Sequence, residues 1–163
     1  MISMKILDVK SFMSSLLIHS VFDELLLCEL DIATFNQFHI SGKLIKDWFS
    51  KEELEERDDY SKWEEIKPYA FQIMKGTKTP TSFKVVLQLQ NKDTKEFVDR
   101  MNLSFQTEDI NGLFINIRFE NNELHLITGT SIKAFTLDKS FEHEWDSYVR
   151  TFLKNNKIPY EEV

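Results

Sequence analysis

Residues 113–137, LFINIRFENNELHLITGTSIKAFTL, constrain the fold more than any other stretch of the chain. Leu113, Ile115, Ile117 and Phe119 alternate with Phe114, Asn116, Arg118 and Glu120, the period-two pattern of a half-buried strand. Asn121-Asn122 then offers two residues that tolerate positive φ, as a two-residue hairpin turn requires. Counting back from that turn pairs Phe119 with Leu124, Ile117 with Leu126 and Ile115 with Thr128. One face is almost wholly apolar; the other sets Arg118 opposite His125, between Glu120 and Glu123. Gly129 is read as a second turn, with 132–137 returning as a third strand. A two-residue turn there puts Lys133 opposite Leu126, and a three-residue turn puts Ala134 there. Both registers stay open.

Before this meander the pattern gives its partners. Asp8 is an N-cap, and Val9, Phe12, Met13, Leu16 and Leu17 form one helical stripe. Residues 26–33 and 38–44 alternate as an antiparallel hairpin, and Phe83, Val85, Leu87 and Leu89 mark a further strand. Ser50-Lys51-Glu52-Glu53 is a capping box, predicting a helix to about Asp58. A second helix follows from Tyr60 or Ser61 to Gly76, with Pro68 inside its stripe. Residues 91–101 read as a short helix, and Asn111-Gly112 as a turn. Phe141, Trp145, Tyr148, Val149, Phe152 and Leu153 stripe a last helix that Pro159 ends. The expected architecture is one α+β domain over 1–163. An antiparallel sheet with a C-terminal three-stranded meander packs against the N- and C-terminal helices, and the helices between 50 and 75 form an exposed appendage.

Composition bears on function mainly by exclusion. A net charge of −7 disfavours a nucleic-acid partner, which wants a basic face. Cys28 is the one cysteine, so no disulfide framework or CxxC motif exists, which favours a reducing cytoplasm. No signal peptide pattern and no apolar run long enough to span a bilayer is present, so no membrane is expected. With glycine only at 42, 76, 112 and 129, neither a GxGxxG nor a GxxxxGK[ST] phosphate loop can form. His19, His39, His125 and His143 make no metal-ligand spacing, no nucleophile motif is visible, and no cofactor is expected. His125 among Arg118, Glu120 and Glu123 allows acid–base work, but a cross-strand ion-pair array is the plainer reading.

Two polar loops could hold an anion through turn amides and lysines: 75–84, with Lys78 and Lys84, and 128–133, with Thr130, Ser131 and Lys133. Connections of this kind also recruit Gly, Thr and Ser for backbone reasons alone. Residues 51–65 hold eight acids and three bases. That run reads first as a solvated helix face; as a docking surface it offers Glu52, Glu53, Glu55 and Glu56 to a basic partner.

The stretches DVKSFMSSLL, GTKTPTSFK, NGLFINIRF and TGTSIKAFTLDKS before Trp145-Asp146 together resemble a family of uncharacterised bacterial proteins of unknown function. The resemblance covers nearly the whole chain and implies a bacterial cytoplasmic protein. It carries over no catalytic residue, cofactor or substrate. The expectation is a non-catalytic binding or adaptor protein acting on another protein. The alternative is a small ligand-binding or enzyme domain that takes an anionic metabolite between the two loops. Oligomeric state is left open.

Overall fold

A computed structural model describes residues 1–101, 106–133 and 138–163. Among these the order is β1 (Ser3–Ile6), α1 (Val9–Leu17), β2 (Leu26–Ala33), β3 (Gln37–Ser41), α2 (Lys51–Leu54), α3 (Trp63–Met74), β4 (Ser82–Gln88), α4 (Asn91–Met101), β5 (Ile110–Glu120), β6 (Glu123–Ile132), α5 (Ser140–Asn155) and β7 (Tyr160–Glu162). All the strands join one antiparallel sheet in the order β3-β2-β4-β5-β6-β1-β7.

The hairpin at its centre forms as the alternation requires. Phe119 pairs with Leu124, Ile117 with Leu126, Ile115 with Thr128, and Arg118 with His125. Asn121 and Asn122 take φ of 52° and 62°, the left-handed pair whose twist matches a two-residue hairpin.

Two neighbouring rows of this sheet show how its faces divide. Ile40, Leu30, Val85, Ile117, Leu126 and Met4 stand side by side on six strands, and all but the half-buried Ile40 are fully buried. The next row points the other way and reads His39, Asp31, Lys84, Arg118, His125, Lys5 and Glu161 across all seven. Because side chains alternate, the helices need cover only the first face.

Those helices lock to the apolar face and to one another. Phe12 of α1 meets Phe22, which meets Phe152 of α5, with ring centroids 5.4 and 5.5 Å apart. Phe97 of α4 lies edge-on to Phe141, Trp145 and Tyr148 of α5. The indoles of Trp63 and Trp145 donate to the carbonyls of Leu16 (2.7 Å) and Phe114 (3.0 Å), so burying two tryptophans leaves neither N–H unpaired.

Several expectations need correction. Gly129 makes no turn: it pairs with Phe114, and β6 runs unbroken to Ile132. Thr-Gly-Thr-Ser is locally turn-like, but the long β5 offers it a full ladder of partners. The place beside Leu126 expected for the third meander strand is taken by β1, through Met4. Residues 134–137 of that expected strand lie outside the described residues. Asn111-Gly112 is a bulge inside β5, and a Cβ on Gly112 would lie 2.6 Å from the Phe114 ring. The acidic helix is only one turn, since Glu52, Glu53, Glu55 and Glu56 repel at i,i+3 and i,i+4. Finally, α3 is no appendage: Trp63, Ala70 and Met74 are core, and the helix runs through Pro68.

Candidate functional site

Between β3 and α3 the chain makes an excursion closed at its base by backbone bonds. Lys43 and Tyr60 form an isolated bridge, Leu44 N–H donates to Asp59 (2.8 Å) and Ser61 N–H to Gly42 (2.7 Å). Such a closed loop has the form of an Ω-loop, a common carrier of function. Its first part is a 3-10 turn, Lys46–Trp48, and its second is α2. Lys46 pairs with Asp59 at 3.1 Å, and the Arg57 guanidinium lies 5.3 Å from the Phe49 ring centre while also bonding Glu65 of α3. The first two contacts brace the excursion internally, and the Arg57–Glu65 pair ties it to α3.

Two large apolar side chains on it are nevertheless left in solvent. Ile45 is 75% exposed and Trp48 79% exposed. Ile45 is the extended residue that caps the 3-10 turn and Trp48 is its last, and Trp48 N–H donates to the Ile45 carbonyl at 3.1 Å. The Trp48 ring meets Phe49 edge-on at 5.3 Å and, among the described residues, no other aromatic ring.

Beside this pair lies the acidic turn. The capping box forms as its sequence requires, with Ser50 N–H donating to Glu53 (2.9 Å) and Glu53 N–H to the Ser50 hydroxyl (3.2 Å). The backbone N–H and hydroxyl of Ser50 hold the Glu53 carboxyl below its usual range. Glu52, Glu55 and Glu56 are exposed and make no ion pair among the described residues. Glu65 is pushed up by partial burial, but hydrogen bonds from Arg57 and the Lys62 amide outweigh that and lower it overall.

The residues of the two polar loops do not converge. Lys84 stands in the charged row of the open face, 2.7 Å from Glu29 and 4.0 Å from Asp31. Ser131 shares that face but sits six residues beyond His125 along β6, roughly 20 Å at strand spacing. Its hydroxyl is taken by the Asn111 amide at 3.0 Å. Thr130 pairs with Leu113 on the opposite face, and the Lys133 amide donates to Asp109. Lys78 lies beyond the other end of the sheet, before β4, where Ser82 is level with Ala33. The His125 imidazole is 3.7 Å from Glu123, in the geometry of a surface array.

A polar cleft of about 650 Å³ opens between the excursion and the starts of α3 and α4. Two of its cations are paired, Arg57 with Glu65 and Lys62 with Glu24. Among the described residues no group of His, Cys, Asp and Glu could hold a metal ion, and no helix is long and apolar enough to cross a membrane.

Sequence reasoning missed Trp48, because an aromatic between two polar stretches reads by default as core. The only available signal was that Ile45 and Trp48 fall outside every apolar stripe.

This arrangement defines a class: an α+β protein with one seven-stranded antiparallel sheet, helices on one face, and a closed excursion between β3 and α3. The chain belongs to the family of unknown function DUF5721, which matches its residues 15–161. No curated protein and no solved structure matches it.

Proposed function

We propose that the chain is a non-catalytic binding or adaptor protein of the bacterial cytoplasm that docks on another protein through the 44–59 excursion. Trp48 carries this reading. An indole 79% exposed on a braced turn lies outside the core, yet tryptophan is among the residue types most enriched at binding hot spots. Ile45 adds a second exposed apolar side chain, and Glu52, Glu55 and Glu56 outnumber Lys51 to give the adjoining turn an acidic excess. The partner this fits presents an apolar pocket bordered by lysine or arginine, so that the acidic turn steers encounter and the two apolar side chains supply affinity. A single, half-buried cysteine suits a reducing compartment.

An anionic-metabolite site shared by the 75–84 loop and the 128–133 strand end is not favoured, since their residues lie far apart along the sheet.

Native mass spectrometry of the protein gently isolated from its own cells tests the docking reading. A co-purifying protein should be lost from Trp48→Ala, and its retention should fall as salt rises. A partner retained equally by Trp48→Ala and by charge reversal at Glu52, Glu53, Glu55 and Glu56 would place the interface elsewhere.

A further inference from the structure

We infer that the groove between α1, α3 and the β4–β5 end of the sheet is a binding site for a small single-chain amphipath with an anionic head, such as a medium-chain carboxylate. The groove has a volume of about 250 Å³. Its floor is the stacked pair Phe83 and Phe119, 5.4 Å apart and 13° from parallel. Met13 and Leu17 of α1 form one wall and Met74 of α3 the other. On α1, Phe12 and Leu16 fill the core, whereas Met13 and Leu17 are only partly buried and line this space. Two methionines in its walls give a surface that adapts to a flexible chain.

Charge sits only at the rim. Lys75 and Lys78 are exposed on the loop that closes the groove, and neither makes an ion pair among the described residues. Gly76, at φ 138°, sets the turn between them. In a chain of net charge −7, two unpaired ammonium groups beside an apolar slot match an anion at one end of an apolar chain. A bare phosphate would leave the slot unused, and a neutral hydrocarbon would leave the lysines unused. At the about 30 Å³ that a water-sized group occupies in a liquid, the space takes a chain of roughly eight carbons.

The test is a titration of the full chain, labelled with 13C-methyl methionine, with sodium decanoate below its micelle concentration. The Met13 and Met74 methyl resonances should shift together and saturate, while those of Met4 and Met101 stay in place. Lys75→Glu combined with Lys78→Glu should weaken binding about tenfold, the sum of two partly screened charge contacts. Nonyltrimethylammonium, with the same alkyl chain and opposite charge, should bind about tenfold more weakly as well. No saturating shift, equal binding of the cation, or equal movement of Met101 overturns the proposal. So does a response to phosphatidylglycerol vesicles where decanoate gives none, which would make the slot a membrane contact. Trp48→Ala should leave decanoate affinity unchanged, so the two readings stand or fall separately.

Discussion

The Thr128 hydroxyl donates to a carboxylate oxygen of Asp146 across 2.6 Å, and both residues are buried. This bond joins β6 to α5 at the point where Ile2 N–H also reaches the Thr128 oxygen, at 2.9 Å. Thr128 is thus a joint between the last helix, the sheet and the β1 edge. Replacing it by valine keeps the shape and removes a charge-assisted bond from a buried carboxylate. Thr128→Val should cost about 1.5–3 kcal/mol, and lower the thermal midpoint by about 5–10 °C. Thr128→Ser should recover most of that loss. Calorimetric melting of the two variants decides it: equal destabilisation would assign the effect to packing.

Gly42 illustrates a different kind of constraint. A Cβ built there would lie 1.7 Å from the Leu27 carbonyl oxygen, a backbone atom of β2 held by the pairing of Leu27 with Leu87 of β4. Gly42 N–H donates to the Cys28 carbonyl, and its own carbonyl accepts from Ser61, so the residue cannot step aside. Gly42→Ala should cost more than about 4 kcal/mol, in the range reserved for severe backbone or core damage. Soluble expression and circular dichroism suffice to check it. A folded Gly42→Ala protein would mean that the 44–59 excursion is less firmly tied than these bonds imply.

How much of this was legible beforehand depended on the range of the interaction. The β5–β6 register could be counted from Asn121-Asn122 because alternation and turn chemistry are local. The α1 and α5 stripes were readable for the same reason. β1 and β7 were not, being four and three residues long, too short for any period to show. The Gly129 turn failed because local propensity lost to a ladder whose other half begins at Ile110. Trp48 failed because exposure is a tertiary fact: closure of the 44–59 loop by Leu44, Gly42 and Ser61 cannot be inferred from residues 45–49 themselves. The acidic turn could be found, but the exposed Trp48 beside it could not.

Cys28 should be a slow nucleophile. Burial, aided by the Glu29 charge, pushes its thiol up to about 11, and its Sγ lies 3.3 Å from the Gln88 amide oxygen as a donor. At pH 8 alkylation by iodoacetamide should be on the order of a hundredfold slower than for an open thiol, rising towards pH 11. The same shift has a consequence for stability. Above pH 9 the unfolded thiol loses its proton while the folded one keeps it, so stability falls as pH rises from 9 towards 11. Cys28→Ala should remove that part of the alkaline loss. Rapid labelling at pH 8 would show instead that β2 opens readily at its bulge.

Arg118 is exposed in the charged row, with Lys84 opposite on β4 and His125 opposite on β6. Each neighbour has an anion to turn to: Lys84 reaches Glu29 at 2.7 Å, and His125 lies 3.7 Å from Glu123. Arg118 makes no ion pair among the described residues, so it faces a like charge across the β4–β5 ladder without compensation. Like charges directly opposite one another cost stability, so Arg118→Thr, which keeps a strand former in place, should stabilise by about 0.2–1 kcal/mol. The gain should shrink in about 1 M salt, where the screening length falls to roughly 3 Å. Urea midpoints at low and high salt measure both quantities. A loss of stability that persists in salt would show that the Arg118 stem packs on the sheet and outweighs its charge, because removal of packing, unlike removal of repulsion, is indifferent to ions.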